Sequence, residues 1–508
     1  MICVKSEVIP KIDEYASREL NIPVATLMAR AGEAVFTEAT AMLDGIEKPR
    51  VTLLCGCGNN AGDGYCAATM LTEAGARVTA IDALGLGART ECASLYYEKF
   101  KSNGEIISLN TLSSDELAEI LASSDLIIDA IFGTGARLEL GEELSSLAKA
   151  VNSSGKRVLA VDVPLGVNAT DATLCDSYIV AEKTVTLAYA KIGLFSYPAK
   201  EVCGEIKNYP IGLNSREIEE KFALSDFVTD SDTVRGLLKK RERNTHKGAY
   251  GNMYALCGSD KYRGAAALAC HSALRMGAGI VRLFSDPSVC DACVGELPEV
   301  IYSPVTSETD ANLLSRELDR ASAILVGCGC GVGKELYRIV YSLLSREGCP
   351  LVLDADALNT LAELGVDALT SAKRQVIVTP HPTEMARLCA ISTADVQKNR
   401  INIAKEFSRK YGVITVLKGA STVVTDGERV AIDIEGTPAL AKGGSGDVLA
   451  GALASLLSQG FDAFYSSAVA VYLHSLAGAD CSREYSEYGV RASDLPCAMA
   501  RALGRILN

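Results

Sequence analysis

At 508 residues the chain is longer than one ordinary core and predicts two or more domains. Its 48% hydrophobic and 22% charged residues exclude a disordered chain, and a net charge of −13 without a long basic run excludes a general nucleic-acid surface. The 17 cysteines, an odd number scattered through apparent strands and helices, predict small buried thiols in a reducing, cytoplasmic setting rather than a disulfide framework. The N-terminus lacks the order of a signal peptide, and no apolar run approaches membrane-spanning length.

Helical spacing of Leu20, Val24, Leu27, Met28, Ala31 and Val35 predicts two helices between Lys5 and about Leu43, broken near Pro23. RVTLLCG (50–56) is a short, β-branched apolar run and predicts a buried strand, with a helix expected from Tyr65 to about Glu73. RVTAIDAL, DLIIDAIFG and RVLAVDVPLG continue the βα alternation, so residues 1–224 are expected to form a doubly wound, Rossmann-like parallel sheet. Residues 213–233 are charged and read as strand-free, which places the boundary near residue 225. A second α/β series, residues 225–508, follows with HKGAYGNMYALCG, a helix from Gly264 to Met276, and strands AILVGCG, PLVLDAD, QVIVTP and VITVLKG.

Three strand ends in the first series carry polar chemistry. GCGNNAGDG (56–64) follows a strand and opens a helix, the context of a phosphate-cradling loop, although the dinucleotide GxGxxG spacing is absent. Asp129 precedes a GTG loop, and Asp162 ends a buried strand; each could face the ligand crevice, pair with a buried lysine or cap a helix. Lys191 in AYAKIGLF is a further strand-end candidate, unless it is simply exposed.

In the second series, ALAKGGSGDVLAGAL (439–453) places Gly443, Gly444, Ser445 and Gly446 before an apolar helix. Converging N–H groups and the positive helix end make an anion site there. Asp447 puts a carboxylate where an anion would bind, and proton abstraction from a hydroxyl is the natural task. VLKGAST (416–422) suits a nucleotide phosphate, and VIVTPHPTEMARL sets His381 and Glu384 in a strand-to-helix turn. His271 and His474 fall within apparent helices and read as packing residues. Asp354 and Asp356 in LDADAL could hold magnesium or cap the next helix; Glu384 is the better indirect magnesium candidate. CDAC (290–293) has zinc-knuckle spacing without a second pair.

LMARAG (27–32), GCGNNAGDG, DAIFGTG, VDVPLG and TVTLAYAKIGL, in this order, resemble the NAD(P)H-hydrate epimerase family, which interconverts the R and S forms of nicotinamide hydrated at C6. The resemblance implies a potassium ion at Asn60 and Asp129. It implies substrate contacts at Asn59, Asn60, Ala61, Gly62, Asp63, Gly133, Thr134, Gly135, Ala136, Arg137, Leu138, Glu139 and Asp162, with Asp162 handling the proton. The family pattern NNGGDG and DIPSG is NNAGDG and DVPLG here, so Ala61 and Leu165 replace a glycine and a serine. A potassium ligand at Leu165 would be its backbone carbonyl.

HKGAYGNM, YRGAAALACHSALRMGAG, TPHPTE, VLKGAST and ALAKGGSGDVLAG resemble the nucleotide-dependent NAD(P)H-hydrate dehydratase family, of ribokinase-like fold. This implies hydrate contacts at Ala265, Gly329, His381 and Asp447. It implies adenine-nucleotide contacts at Lys418, Gly419, Ala420, Ser421, Thr422 and Gly446, with magnesium and ADP or ATP as co-substrate. The middle-loop GPG of the family is GCG here, with Cys328 for proline. Together the two resemblances imply a bifunctional repair enzyme acting on NAD(P)H hydrate, with no nucleic-acid or membrane partner and with homo-oligomerisation. A ribokinase-like small-molecule kinase, or an active dehydratase carrying a non-catalytic N-terminal binding module, are the competing readings.

Overall fold

The computed structural model describes residues 1–135, 139–238, 240–306 and 309–508. The expected contacts at Ala136, Arg137 and Leu138 lie outside the described residues. The chain divides into two compact units, Ile2–Phe227 and Val228–Asn508 with Met1.

In the N-terminal unit a parallel sheet runs in the spatial order Glu105–Ser108, Arg77–Asp82, Arg50–Cys55, Leu126–Ala130, Val158–Val161, Lys183–Leu187, Glu205–Tyr209. The strands are near-continuous apolar runs because both faces are covered. Leu53 and Ile128 point into one core with helices Val24–Met42 and Asn59–Glu73, while Leu54 and Ile127 point into the other with helices Ser114–Ser123 and Glu142–Ser153. The chain order reverses between strands 50–55 and 126–130, which makes the carboxyl ends of these two strands the expected ligand crevice.

Two expectations are corrected in this unit. The helix after the first sheet strand begins at Asn59, not Tyr65, so most of GCGNNAGDG is the helix's own first turns. Asparagine and glycine are poor helix formers, yet Ala61 is wholly buried and Gly62 and Gly64 lie close against Met28, Leu53 and Ala130; packing overrides propensity. Residues 213–233 are not strand-free: Asp226–Val228 pairs antiparallel with Ile2–Val4, and helices Arg216–Lys221 and Ser231–Leu237 flank it. Three residues that begin with an aspartate are too short a run to show alternation. Ile2–Val4 also pairs in parallel with Ala190–Lys191, setting Val4 opposite Lys191. The early break stands: helix Ile9–Arg18 ends before Pro23, which caps the next helix.

The C-terminal unit is built on strands in the order Ile301–Pro304, Ile280–Ser285, Asn252–Leu256, Ala323–Val326, Leu351–Leu353, Val376–Val378, Ile414–Leu417, all parallel. Thr422–Thr425 and Val430–Asp433 then extend the sheet antiparallel. Helix Ser445–Ser458 packs on helix Arg263–Arg275 so closely that a Cβ on Gly451 would stand 2.1 Å from the Ala269 carbonyl oxygen. Only glycine permits that approach, and it seats the helix N-terminus beside the strand ends.

Candidate active sites

The N-terminal unit contains a cleft of about 460 Å³ that opens to solvent. Helix Asn59–Glu73 contributes Asn59, Asn60 and Asp63; the loop after Leu126–Ala130 contributes Gly133, Thr134 and Gly135; Asp162 and Lys191 come from the far strands. Apolar walls come from Leu27 and Met28, and helix Ile9–Arg18 adds Asp13, which the sequence reading did not single out.

Asp162 adopts φ 66°, a left-handed backbone that turns its side chain back over the strand end. There the Lys191 ammonium donates to its Oδ1, as do the Leu187 N–H at 3.2 Å and the Thr186 hydroxyl at 3.4 Å. Lys191, only 1% exposed, also donates to the Leu187 carbonyl at 2.7 Å and the Thr186 hydroxyl at 3.2 Å. It is therefore an internal partner of Asp162 and not a surface lysine. Of the alternatives open for Asp162, the structure selects the pairing with a buried lysine, and it does so within the cavity.

Asn60 Oδ1 and Asp162 Oδ2 both flank Gly133: a Cβ there would meet them at 3.2 and 3.0 Å. Asn60 Nδ2 is buried without a partner, and the Asn59 Oδ1 accepts from the Thr90 hydroxyl at 2.6 Å. Asp129 is wholly buried and outside the cavity lining. It accepts from the Leu165 N–H at 2.7 Å and the Ile131 N–H at 3.2 Å, and burial lifts its carboxyl to about 6 against these two donors. The Leu165 carbonyl already accepts from the Ile179 N–H at 2.9 Å. Glu139 lines a neighbouring cleft with Arg89 and Phe132, while Ala61 and Gly62 face core.

In the C-terminal unit Gly444 takes φ 94° and caps helix Ser445–Ser458, whose first turn carries Asp447. Single ligand atoms of Asp447, Asp354 and Cys328 all lie within 4.8 Å of one another. The Lys418 ammonium donates to Asp354 Oδ1 at 2.8 Å, Thr379 donates to the same oxygen at 2.7 Å, and Cys328 Sγ is 3.7 Å from Asp354 Oδ2. A Cβ on Gly446 would stand 3.3 Å from the Lys418 nitrogen, so the glycine turn and the lysine face one space. Burial, with Asp354 close by, lifts the Asp447 carboxyl to about 7, opposed by the Cys328 thiol and Lys418.

Gly329 and Ala265 are brought together, with a glycine Cβ position 2.9 Å from the Ala265 Cβ. His381 caps helix Pro382–Cys389: its Nδ1 accepts from the Thr383 and Glu384 N–H groups, each at 3.2 Å, and Glu384 Oε2 accepts the His381 N–H at 2.8 Å. Burial and Lys418 push the His381 imidazole below its ordinary range, and burial lifts Glu384 to about 7. Asp354 does not cap helix Asp356–Leu364, and Asp356 accepts instead from the Gly331 N–H at 2.8 Å. His474 is buried in a helix and held near 4 by burial, against a hydrogen bond with the Ser445 backbone, and its Nε2 is buried without a partner. Cys290 and Cys293 lie on one short helix and are buried.

The loop Lys418–Thr422 hangs on a residue that sequence reasoning missed. Arg400, 2% exposed, donates to the carbonyls of Leu417 at 3.0 Å, Lys418 at 3.1 Å and Ser421 at 3.2 Å. The available signal was its place on the buried stripe Arg400, Ala404, Phe407, Tyr411 of one helix, where an arginine needs partners.

Residues 253–501 match the family described as NAD(P)H-hydrate dehydratase, and residues 24–193 match that described as YjeF-related protein N-terminus. A bifunctional NAD(P)H-hydrate repair enzyme of Moorella thermoacetica is 33% identical over 513 residues, covering 97% of this chain and 95% of its own. Its counterpart in Escherichia coli is 31% identical over 495 residues, covering 96% of this chain and 91% of its own. The ADP/ATP-dependent NAD(P)H-hydrate dehydratase of Bacillus subtilis, crystallised with ATP and Mg2+, is 30% identical with a TM-score of 0.50, over 56% of this chain and 99% of that one. A ribokinase-like superfamily protein of Enterococcus faecalis, 24% identical with a TM-score of 0.50 over 55% of this chain and 96% of its own, shares the fold. The chain belongs to the family of bifunctional NAD(P)H-hydrate repair enzymes.

Proposed function

We propose that the N-terminal unit interconverts the R and S hydrates of NAD(P)H, and that the C-terminal unit returns the S form to NAD(P)H while ADP becomes AMP and phosphate. The observation that carries the dehydratase reading is the cluster of Asp447, Asp354, Cys328 and Lys418 under a glycine-capped helix end. Asp447 takes the proton of the C6 hydroxyl, and that oxygen attacks the terminal phosphoryl group held by the glycine turn. The C6–O bond then breaks with its pair going to phosphate, pushed by the ring nitrogen, and the C5 proton passes to the departing phosphate. Lys418 holds Asp354 and adds positive charge where the phosphoryl group would lie.

Ala265, Gly329 and His381 are assigned to the hydrate, and Gly419 to Thr422 with Gly446 to the nucleotide. Glu384 would help hold magnesium brought by the nucleotide, and the ion would add positive charge at the phosphates. In the N-terminal unit, Asn59 to Asp63, Gly133 to Gly135 and Asp162 are assigned to the hydrate. Potassium is assigned to Asn60 Oδ1, the Asp129 carboxylate and the Leu165 carbonyl by the family resemblance; Asp129 and Leu165 already accept backbone N–H bonds, and the unpartnered Asn60 atom is Nδ2, a donor that holds no cation. Bound there, potassium would supply fixed positive charge beside the substrate pocket. The net charge of −13 and the 17 free cysteines support a cytoplasmic enzyme without a general nucleic-acid partner, and homo-oligomerisation is assigned from the family resemblance alone.

The test is an assay at the NADH absorbance with mixed R and S hydrate and ADP. Wild-type protein consumes both epimers, Asp162→Asn consumes the S form alone, and Asp447→Asn consumes neither while still binding nucleotide. Accumulation of a phosphorylated product without NADH would overturn the dehydratase assignment in favour of a kinase.

A further inference from the structure

The cavity of the N-terminal unit holds more acid than the reaction scheme above uses. Among the described residues lining it, the charged side chains are Asp13, Asp63, Asp162 and Lys191. Lys191 is committed to Asp162, which also accepts from Thr186 and Leu187. The Asp13 and Asp63 carboxyls have no hydrogen-bond or ion-pair partner among the described residues. One ammonium is shared among three carboxylates in a cavity that opens to solvent on one side, so ionising all three together is costly and favours a proton on an unpaired acid.

We propose that Asp13, on helix Ile9–Arg18, is the proton donor of the epimerisation and that Asp162 is its basic counterpart. The proposal rests on the reading of this unit as the epimerase. Epimerisation at C6 needs hydroxide to leave from one face and water to add to the other, so it needs an acid and a base on separate elements. Asp13 gives its proton to the C6 hydroxyl oxygen, the C–O bond breaks with its electron pair going to that oxygen, and water leaves. The N1 lone pair forms the C6=N1 bond. A water then attacks C6 from the other face, the C6=N1 pair returns to nitrogen, and Asp162 takes the proton released. Transfer of one proton from Asp162 to Asp13 restores the starting state, so no co-reactant is consumed.

The surroundings separate Asp13 from Asp63. Asp63 faces the cavity from helix Asn59–Glu73, where burial and the two other acids hold its carboxyl well above the usual range. Burial lifts Asp13 to about 6, Lys191 pulls it down and Asp162 pushes it up, leaving an acid that still releases its proton near neutral pH.

The test follows R-to-S conversion of NADH hydrate by the full-length protein without nucleotide, using chromatography, across pH. Wild-type kcat should fall as pH rises through about 6, because the protonated donor is lost. Asp13→Asn should lose on the order of 10²-fold in kcat, keep its KM within about twofold, and lose the alkaline fall. Asp13→Glu should restore both rate and fall. A wild-type protein that leaves the R form unchanged would refute the epimerase reading itself. An Asp13→Asn protein with wild-type rate and pH profile, or a loss confined to Asp63→Asn, would refute the donor assignment alone.

Discussion

The Lys418 ammonium lies 2.8 Å from Asp354 Oδ1 although the two residues are 64 apart in the chain, and this pair lies beside both Gly446 of the glycine turn and the carboxylate of Asp447. It sets the charge in which Asp447 must work. Asp447 functions as a base only when ionised, and its carboxyl is lifted to about 7 with Lys418 opposing the shift. Dehydration of the S hydrate should therefore be slow below pH 7 and reach a plateau above it. Lys418→Met removes the opposing charge, so the same rise should move to higher pH in a profile of kcat against pH. An unmoved midpoint would show that Lys418 does not tune the base.

Arg400 holds the carbonyls of Lys418 and Ser421 in the loop assigned to the nucleotide, and that of Leu417 at the strand end before it. Arg400→Met leaves them without that donor, and the KM for ADP should rise on the order of tenfold while the pH midpoint of kcat stays in place. Steady-state kinetics at saturating hydrate measures this. An unchanged KM would place the nucleotide elsewhere.

A Cβ on Gly133 would stand 3.0 Å from Asp162 Oδ2 and 3.2 Å from Asn60 Oδ1, so a bulky side chain there must displace both groups. Gly133→Val should lower epimerisation by about 10²-fold through misplacement of these groups, with dehydration of pure S hydrate unchanged. Equal loss of both activities would mean that the substitution damages folding in general.

Asp433 is buried on strand Val430–Asp433, accepts from the Ser475 hydroxyl at 2.6 Å, and has an Oδ1 without a partner. Burial lifts its carboxyl from 3.8 to about 7. Between those values the folded state binds the proton more tightly than the unfolded state, so this group's contribution to stability is complete below 3.8 and lost as pH rises to about 7. Asp433→Asn should raise the melting temperature at pH 8 and give no gain at pH 4. Thermal unfolding at the two pH values decides it.

The alternation of short apolar strands with helices was legible because buried parallel strands are continuous runs of Val, Ile and Leu, and the strand ends carried the motif glycines and acids. LDADAL, TPHPTE and GGSGD could be read the same way, since each is a local turn whose chemistry its own residues declare. The helical start of GCGNNAGDG and the strand Asp226–Val228 were not legible, because packing against Met28 and Ala130 in one case and pairing with Ile2–Val4 in the other outweigh local preference.

The sequence by itself determined the two-part α/β plan and most residues assigned to the sites, because periodicity, turn glycines and motif order are local properties. Only the tertiary structure decided which charges meet. Lys191 reaches Asp162 from 29 residues away, Lys418 reaches Asp354 from 64, and Asp13 enters the cavity on a helix that carries no motif. Such pairings follow from strand order and helix seating, and a buried charge is stabilised only by what the fold places beside it.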